Sequence, residues 1–498
     1  MRAIDVQASD LIIRNADLID GTGAPSRRGD LAIKDARIVA VGCLADVKGA
    51  RQIDANGKAL SPGFIDAHTH DDRALLSDPL MSCKVSQGVT TVVTGNCGVS
   101  LAPLKIDGRP PRPLDLIAEA GGQFFAHFGD YLAALDRDPP ALNAACQVGH
   151  STLRVATMDN LERPASAKEI KAMRVKLERA LEAGAIGLST GLWYAPAVSA
   201  PTEEIIEISR PLKEFGAIHT THMRDEAEGV FDALEETFRI GRAAEVPVVI
   251  SHHKVVGRPN HGRTSETLAR IEKARGQQPI GLDVYPYIAS STILDAGRLE
   301  GATKVIVTWS RAHPEFNGQD LAAIAEKMGC SMAVAAAKLQ PAGAIYFVMS
   351  EADVRRVLSY PHTMIGSDGL PHDEHPHPRL WGTFPRVLGH YARDVGLFSL
   401  EEAVRRMTSL PCARFGLKNR GRLEPGYYAD LVLFDPKTVN DLANFEQPKT
   451  ASAGIGLVIV NGRIVWEDGK PTGARPGKAL RLADLGAMGA EPSPSTQG

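Results

Sequence analysis

The chain has 498 residues, 44% of them apolar, which is enough for a large domain with a smaller one beside it. Its 56 basic and 59 acidic residues give a formal charge of −3, and no long basic run is interleaved with aromatic residues, so nucleic acid and anionic membranes are not expected partners. No apolar stretch has the length of a signal peptide or of a membrane span, so we expect a soluble, cytoplasmic protein.

Six cysteines are scattered along the chain without paired spacing, at positions 43, 83, 97, 146, 330 and 412. In a reducing compartment, each is expected to be a small buried residue or a metal ligand, not half of a disulfide.

The two ends of the chain predict a β-domain. Short apolar runs alternate with turn signals at 11–14, 31–34 and 38–41, and similar runs return at 429–434 and 456–465. Because short strands need a shared core to be stable, we expect residues 1–61 and 415–480 to build one small β-sandwich. Residues 481–498 end in a run of small and polar residues, and we expect them to be a disordered tail.

Residues 62–414, between these ends, predict repeated strand–helix units. The strand candidates are 89–93, 185–188, 246–250 and 363–366, and the clearest helical patterns are 168–183 and 229–244. Strands that are apolar on both faces indicate a parallel sheet in an α/β fold, and about eight units fit a (β/α)8 barrel of the TIM type. A doubly wound open sheet is the alternative.

The stretch from about 289 to 344 lacks this strand–helix period. A long insertion after a barrel strand usually covers the mouth of the barrel. We therefore expect an inserted subdomain that helps to set substrate choice.

Two histidines, His68 and His70, follow an apolar strand and are separated by one residue. Alternate side chains of a strand share a face, so both imidazoles can point into one cavity and bind one metal. Such a pair is common by chance, but further candidates end later strands: Cys97, His222, His252 and Asp368. Each of these has another interpretation, as a buried cysteine, a core histidine or a turn-capping aspartate. Without a metal site, those interpretations would all have to hold at successive strand ends, which would be a rare coincidence.

Active sites in such barrels lie at the carboxyl ends of the strands, where these candidates are expected to meet. A thiolate among imidazoles favours zinc over magnesium or calcium, and a catalytic zinc site keeps one position for water. His253, beside His252, is expected to face away and to pack.

Several motifs carry a resemblance that runs through nearly the whole chain: residues 62–72, 87–98, 149–154, 222–226, 251–254, 366–374 and 377–386. On these motifs the chain resembles the D-aminoacylases, which are N-acyl-D-amino-acid deacylases of the amidohydrolase superfamily. Many superfamily members bridge two metals with a carboxylated lysine at the end of strand four, but residues 185–194 contain no lysine. The resemblance gives the bridging role to Cys97 and argues against a site of the hydantoinase or dihydroorotase type.

The resemblance implies zinc-dependent hydrolysis of N-acyl-D-amino acids to a carboxylate and a free D-amino acid. The implied metal ligands are Cys97, His222 and His252 for a tightly bound zinc, and His68 and His70, with Cys97, for a weaker or partly filled second site. Asp368 is implied as the general acid/base. It would accept the proton from the water that zinc converts to an attacking hydroxide, and would pass that proton to the leaving amine.

An N-acyl amino acid also carries an α-carboxylate, for which Lys254 and Arg379 are the obvious cations. The resemblance adds Tyr285 and Ser291 as hydroxyl donors to the substrate. It also implies Tyr194 near the scissile carbonyl or the developing oxyanion. Packing at the rim of the site is the alternative role for the two tyrosines.

Preference for the D-enantiomer rests on the resemblance alone, and we expect neutral or hydrophobic substrate side chains. Arg298 and Lys304, in the insertion, would instead suit N-acyl-D-glutamate or N-acyl-D-aspartate if they are more than solvated surface charges. A zinc hydrolase of a different amide, such as a cyclic amidase or an L-specific deacylase, competes with this interpretation, as do a deaminase and a non-catalytic barrel. The sequence makes no prediction of oligomeric state.

Overall fold

The computed structural model describes residues 9–118 and 122–490. Its strands are β1 (Ser9–Leu18), β2 (Arg27–Lys34), β3 (Arg37–Gly42), β4 (Gly49–Asp54), β5 (Ala59–Pro62), β6 (Phe64–Asp66), β7 (Val89–Thr94), β8 (Asn143–Cys146), β9 (Val148–Gly149), β10 (Gly187–Gly191), β11 (Ile218–His222), β12 (Val248–Ile250), β13 (Ile280–Val284), β14 (Ala289–Ile293), β15 (Val305–Ser310), β16 (Ala342–Phe347), β17 (Thr363–Ile365), β18 (Leu431–Phe434), β19 (Ile455–Val460), β20 (Arg463–Glu467), β21 (Lys470–Pro471) and β22 (Ala479–Leu480).

The α-helices are α1 (Ala74–Ser77), α2 (Ser82–Val85), α3 (Phe128–Arg137), α4 (His150–Val155), α5 (Ala167–Ala183), α6 (Ala195–Val198), α7 (Thr202–Ser209), α8 (Pro211–Phe215), α9 (Val230–Ala244), α10 (Thr264–Arg275), α11 (Leu321–Lys327), α12 (Met332–Lys338), α13 (Glu351–Ser359), α14 (Arg379–Arg386), α15 (Leu400–Met407) and α16 (Ser409–Arg414). Every helix within the described ranges is too short or too polar to cross a lipid bilayer.

Both ends of the chain contribute to one nine-stranded sheet, in the order β21-β20-β19-β18-β5-β1-β2-β3, with β4 paired to β1. Its strands bury an apolar core that includes Ile13, Leu31 and Leu431. An antiparallel bridge joins Arg37, in β3, to Tyr428, just before β18. The β3 edge of the sheet therefore curves back toward β18, near the middle of the sheet. Strands from the two chain ends thus share one core within one continuous sheet.

The central region contains two parallel sheets, one in the order β17-β13-β12-β11-β10-β9 and one in the order β22-β8-β7-β6. Strands β8 and β9 are separated only by Gln147. At the other edge, the Ala67 N–H donates to the Ile365 carbonyl at 3.2 Å, and a parallel bridge joins Thr69 to Gly369. The two sheets therefore meet along both edges, with the carboxyl ends of their strands on the same side.

Helix α5 shows how the sequence sets the helices that flank these sheets. The Ser166 side chain accepts a hydrogen bond from the Glu169 N–H, and the Glu169 carboxylate accepts one from the Ser166 backbone N–H, which completes a capping box. Gly184, with a φ of 118°, ends the helix in the left-handed conformation that glycine tolerates. Between these ends, Met173 and Leu177 turn the apolar face inward.

The insertion forms a three-stranded antiparallel sheet, β14-β16-β15, with helices α11 and α12 packed beside it. It has an apolar core of its own, which includes Val307, Leu321 and Ala344. The interruption of the strand–helix period between 289 and 344 thus corresponds to a small separate subdomain.

Residues 481–490 differ from the expected tail. They contain a 3-10 helix, Leu482–Asp484, and they bury Leu485 and Met488 in an apolar cluster with Val249 of β12. Burial of these two apolar side chains stabilises the position of the segment, although its small and polar residues predict disorder. Residues 1–8 and 491–498, at the two ends of the expected domains, lie outside the described residues.

Candidate active site

The carboxyl ends of the parallel strands bring together six of the residues that the sequence singles out. These are His68 and His70 after β6, Cys97 after β7, His222 at the end of β11, His252 after β12 and Asp368 after β17. They form two buried groups, one of His68, His70, Cys97 and Asp368 and one of Cys97, His222 and His252. Within each group the potential ligand atoms lie within 4.8 Å of one another, and Cys97 belongs to both.

Three of these residues have an unusual backbone conformation. Cys97, His252 and Asp368 have φ values of 52°, 37° and 49°, a left-handed region that residues other than glycine rarely adopt. Each strand therefore ends in a sharp turn at the residue that enters the site. The turn at Cys97 also requires a neighbour without a side chain, because a Cβ on Gly191 would lie 2.1 Å from the Cys97 carbonyl oxygen. Such strain persists where the surroundings hold it, as they often do at functional sites.

The donor atoms around Cys97 suit a metal ion. Its Sγ lies 3.3 Å from His68 Nε2 and 3.4 Å from His252 Nε2. Both ring nitrogens of His222 are buried and have no hydrogen-bond partner among the described residues. A buried imidazole without a partner is costly unless a ligand such as a metal binds it. A thiolate together with imidazoles is a donor set that zinc prefers.

The protonation states of these groups agree with that assignment. Burial lowers the pKa of His68 to about 3 and the pKa of His222 well below its ordinary value, so both rings are neutral and have a free lone pair. Burial also raises the pKa of the Cys97 thiol well above its usual value. A thiolate at this position therefore needs a neighbouring cation, which a bound zinc would provide.

The Asp368 carboxylate lies between a histidine and an arginine. Its Oδ1 is 3.2 Å from His70 Nε2, and its Oδ2 is 2.9 Å from Arg379 Nη1. Burial acts to raise the pKa of Asp368, but the charge of Arg379 and the hydrogen bond from His70 outweigh burial and hold this pKa well below its usual value. Asp368 is therefore an ionised carboxylate beside the metal-ligand groups.

Arg379, a predicted substrate-binding residue, contacts Asp368 directly. It is fully buried, its Nη2 donates to the Ser291 carbonyl at 3.1 Å, and its guanidinium lies 4.5 Å from the centre of the Tyr285 ring. It does not line the cavity beside the metal-ligand groups. The positive charge of the Arg379 guanidinium lies beside the Asp368 carboxylate.

The other predicted substrate-binding residues, Lys254, Tyr285, Ser291 and Tyr194, do line this cavity, which we call the inner cavity. The Tyr285 and Ser291 hydroxyls are buried and have no hydrogen-bond partner in the part of the chain that the structure describes. The Tyr194 hydroxyl lies 3.0 Å from Thr292 Oγ1, in strand β14 of the insertion. The inner cavity thus presents hydroxyl groups that a polar ligand can bind.

Glu226 is a site residue that the sequence interpretation missed. Its Oε1 lies 2.6 Å from Lys254 Nζ and 3.1 Å from His252 Nδ1, and its Oε2 lies 3.7 Å from His222 Nε2. Burial acts to raise the pKa of Glu226, but the neighbouring Lys254, His222 and His252 hold it well below its usual value. A carboxylate that contacts a ligand histidine orients the ring. The only sequence signal was its place within the motif 222–226.

Asp283 is a second missed residue. Its Oδ1 accepts a hydrogen bond from the His252 N–H at 2.9 Å and lies 3.5 Å from His68 Nδ1. Burial, above all, raises the pKa of Asp283 to about 7. The available signal was a single acidic residue in the otherwise apolar strand β13.

A cluster of buried charges lies behind His68 and Asp368, and we call it the support cluster: Asp66, Asp71, Lys84 and Ser367. Lys84 Nζ lies 2.8 Å from Asp66 Oδ2, 3.3 Å from Asp71 Oδ2 and 2.7 Å from Ser367 Oγ. Asp66 Oδ1 in turn accepts from the backbone N–H groups of Ser367 at 2.7 Å and His68 at 3.3 Å. The cluster therefore connects the ends of β6 and β17.

The two cations of the insertion have different environments. Arg298 lines the inner cavity, and its guanidinium lies 3.8 Å from the centre of the Trp193 ring. Lys304 is exposed and lies outside the inner cavity. His253 turns away from the ligands, and its Nε2 lies 2.9 Å from Thr267 Oγ1.

The chain is similar to several known proteins. A model of the amidohydrolase family matches residues 51–282 and 319–466. D-aminoacylase from Alcaligenes xylosoxydans xylosoxydans is 56% identical over 480 residues, which cover 96% of this chain and 99% of that protein. N-acyl-D-aspartate deacylase from the same organism is 52% identical over 478 residues, 96% of each chain.

A solved structure of N-acyl-D-glutamate deacylase from Bordetella bronchiseptica superimposes with a TM-score of 0.92 at 47% identity, covering 95% of this chain and 100% of that one. That protein is in complex with zinc and a phosphonate inhibitor that mimics the tetrahedral intermediate of its reaction. The chain therefore belongs to the amidohydrolase family and is a close relative of the D-aminoacylases.

Proposed function

We propose that this protein hydrolyses N-acyl-D-amino acids in a zinc-dependent reaction and releases a carboxylate and a free D-amino acid. The observation that carries the proposal is the position of Asp368, an ionised carboxylate beside two buried ligand groups that share Cys97. The relatives support the substrate class, since one is a D-aminoacylase and two are deacylases of N-acyl-D-amino acids.

Cys97, His222 and His252 would hold the tighter zinc, because the ring nitrogens of His222 have no hydrogen-bond partner among the described residues. His68 and His70, with Cys97, would form a second position, which the resemblance to the D-aminoacylases implies is the weaker one. When bound, zinc polarises a carbonyl and lowers the pKa of a water molecule toward neutrality.

Asp368 is the proposed general acid/base. The carboxylate accepts a proton from the attacking water and then delivers it to the departing nitrogen, since an amine does not leave as its anion. Arg379 keeps Asp368 ionised and fixes its direction through the 2.9 Å contact. Arg379 thus acts through Asp368, and the α-carboxylate of the substrate falls to Lys254, Tyr285 and Ser291 in the inner cavity.

Tyr194 is the proposed hydrogen-bond donor near the scissile carbonyl. Its ring lies 5.1 Å from the ring of His222, and its hydroxyl faces the inner cavity beside Thr292. A donor in this position stabilises the negative charge that develops on the carbonyl oxygen.

We also infer the finer architecture. Counting β8 and β9 as one and leaving out β22, the two parallel sheets supply eight strands that meet along both edges, which supports a closed (β/α)8 barrel. The curled sheet from the two chain ends would pack as a small sandwich beside it, with the insertion over the barrel mouth.

Hydrolysis of N-acetyl-D-methionine and N-acetyl-L-methionine by the zinc-loaded protein tests the proposed function. We expect hydrolysis of the D-substrate only, lost when zinc is removed and restored when zinc is returned. Asp368→Asn should keep its zinc and lose kcat by about 10³-fold or more, because it removes the proton-transfer group without removing a ligand of the tighter site. Equal rates on the two enantiomers, or normal turnover by Asp368→Asn, would contradict the proposal.

A second candidate substrate class is the N-acyl-D-amino acids with acidic side chains. It is favoured by Arg298, whose guanidinium lines the inner cavity beside the Trp193 ring. A guanidinium in that position can bind a second carboxylate bidentately.

Comparison of N-acetyl-D-glutamate with N-acetyl-D-methionine decides between the two classes. If the acidic substrate is preferred, Arg298→Met should reverse the preference, whereas Lys304→Met is the matched control because Lys304 lies outside the cavity. Equal preference in Arg298→Met and the unmodified protein would remove the acidic candidate.

A further inference from the structure

The inner cavity adjoins two larger cavities whose boundaries differ in chemistry. The first, of about 490 Å³, shares Glu226, Ser290 and Arg298 with the inner cavity. The second, of about 360 Å³, shares a single described residue with it, Leu116. The inner cavity is thus bounded by charged and polar groups on one side and by one leucine on the other.

Leu116 lies at the end of a 3-10 turn, Leu114–Leu116, and only 6% of it is exposed. It packs in an apolar cluster with Cys97, Tyr194, Ile293 and Leu370. The hydrocarbon surface of the inner cavity therefore begins directly beside the shared ligand Cys97.

The two sides suit the two substituents of a scissile amide. The amino-acid part of the substrate carries the charged α-carboxylate, which matches the side that presents Lys254, Ser291 and Arg298. The other substituent of the carbonyl carbon is the acyl chain, which is hydrocarbon and matches the side formed by Leu116 and Leu370. This assignment rests on the proposed function.

We infer that Leu116 is a specificity-determining residue that ends the acyl-binding part of the site and sets the longest unbranched acyl chain the enzyme accepts. A short acyl group such as acetyl ends before the Leu116 side chain, and a longer acyl group contacts it. Beyond Leu116, the second cavity has room for a chain, and its lining combines apolar contacts from Ala118, Trp309 and Pro314 with charged side chains such as Asp115, Arg311 and Asp373.

The test compares N-acetyl-, N-butanoyl- and N-hexanoyl-D-methionine as substrates of the zinc-loaded protein. Leu116→Ala removes the boundary, so we expect the ratio of kcat/KM for the hexanoyl substrate to that for the acetyl substrate to rise by about tenfold or more. Leu116→Phe should act in the opposite direction and lower the ratio for butanoyl over acetyl. This second variant keeps the test decisive if Leu116→Ala does not fold.

Ile293→Ala is the matched control. Ile293 belongs to the same apolar cluster but lines neither the inner cavity nor the second cavity. Its ratio of hexanoyl to acetyl hydrolysis should stay within about twofold of the unmodified ratio, because the change removes no surface that the acyl chain contacts.

Three results would overturn the inference: an unchanged ratio in both Leu116 variants with N-acetyl-D-methionine still hydrolysed, an equal rise in Ile293→Ala, or a fall in Leu116→Ala. Failure of the proposed function is recognised separately, since the unmodified protein would then not hydrolyse N-acetyl-D-methionine at all. The inference falls with it in that case.

Discussion

Two buried lysines, Lys254 and Lys84, lie beside the site and differ in whether they line the inner cavity. Lys254 pairs with Glu226 and contacts the ligand His252, and its side chain lines the inner cavity. Lys84 pairs with Asp66 and Asp71, is fully buried and does not line that cavity. The same ion-pair chemistry therefore serves two purposes. A buried charge that lines the cavity can bind a substrate, whereas one that does not line it can only stabilise the fold.

The partners of each lysine agree with that division. Lys84 has a carboxylate on two sides and a hydroxyl on a third, all without exposed surface, so its hydrogen-bonding capacity is used within the protein. Lys254 also has three partners, Glu226 Oε1 and the Nδ1 and carbonyl oxygen of His252, but it lines the cavity that holds the unpartnered hydroxyls of Tyr285 and Ser291. An incoming carboxylate can therefore reach Lys254 and these hydroxyls, whereas it has no access to Lys84.

The largest expected effect is the loss of stability in Lys84→Met. This change leaves Asp66 and Asp71 buried without a counter-charge, so the free energy of unfolding should fall by about 3–5 kcal/mol. Chemical denaturation of the zinc-loaded protein measures it. A fall below about 1 kcal/mol, the size of an exposed ion pair, would contradict the structural role of Lys84.

Lys254→Met should lower activity more than stability, which is the reverse of the effect expected for Lys84→Met. We expect kcat/KM for N-acetyl-D-methionine to fall by about 100-fold, mainly through KM, because the cation for the α-carboxylate is lost. The loss of stability should be smaller than in Lys84→Met, since the change leaves one buried carboxylate without its lysine instead of two. An unchanged KM with a loss of stability as large as that of Lys84→Met would remove the distinction between the two lysines.

Arg163→Gln should have the smallest effect and provides a baseline. Arg163 pairs with Asp159 and Glu169 on the surface near the start of α5, remote in the fold from both lysines. Surface ion pairs are screened by solvent and contribute little. The denaturation midpoint and the kinetic constants should match those of the unmodified protein. A clear drop in either would show that ion pairs stabilise this fold regardless of burial.

The sequence points to the proposed ligands more directly than to the residues around them. His68 and His70 are recognisable because strand geometry places alternate side chains on one face, and the other proposed ligands follow from the ends of strongly apolar strands. Glu226 and Asp283 carry no comparable pattern, because a residue that orients a ligand needs only proximity in space. The charge of Arg379 alone predicts a contact with substrate, and sequence does not specify that Asp368 lies nearer to it.

The same limit applies to the fold. The alternation of strands and helices is local and follows from periodicity, so β7, β12, α5 and α9 begin and end close to where the sequence predicts. The burial of Leu485 and Met488 depends on contacts with distant strands, and two apolar residues in a polar segment predict little by themselves.

Strand β5 has a consequence for how the protein is made. It pairs with β1 on one side and with β18 on the other, where Leu60 lies opposite Leu433, and β6 and His68 follow it directly. A ribosome adds about 5–20 residues per second, so β5 waits on the order of tens of seconds before its second neighbour is synthesised. Throughout that time its edge is open to pairing with other chains. Completion of this sheet, and of the strand end that presents His68, is therefore among the last events of synthesis.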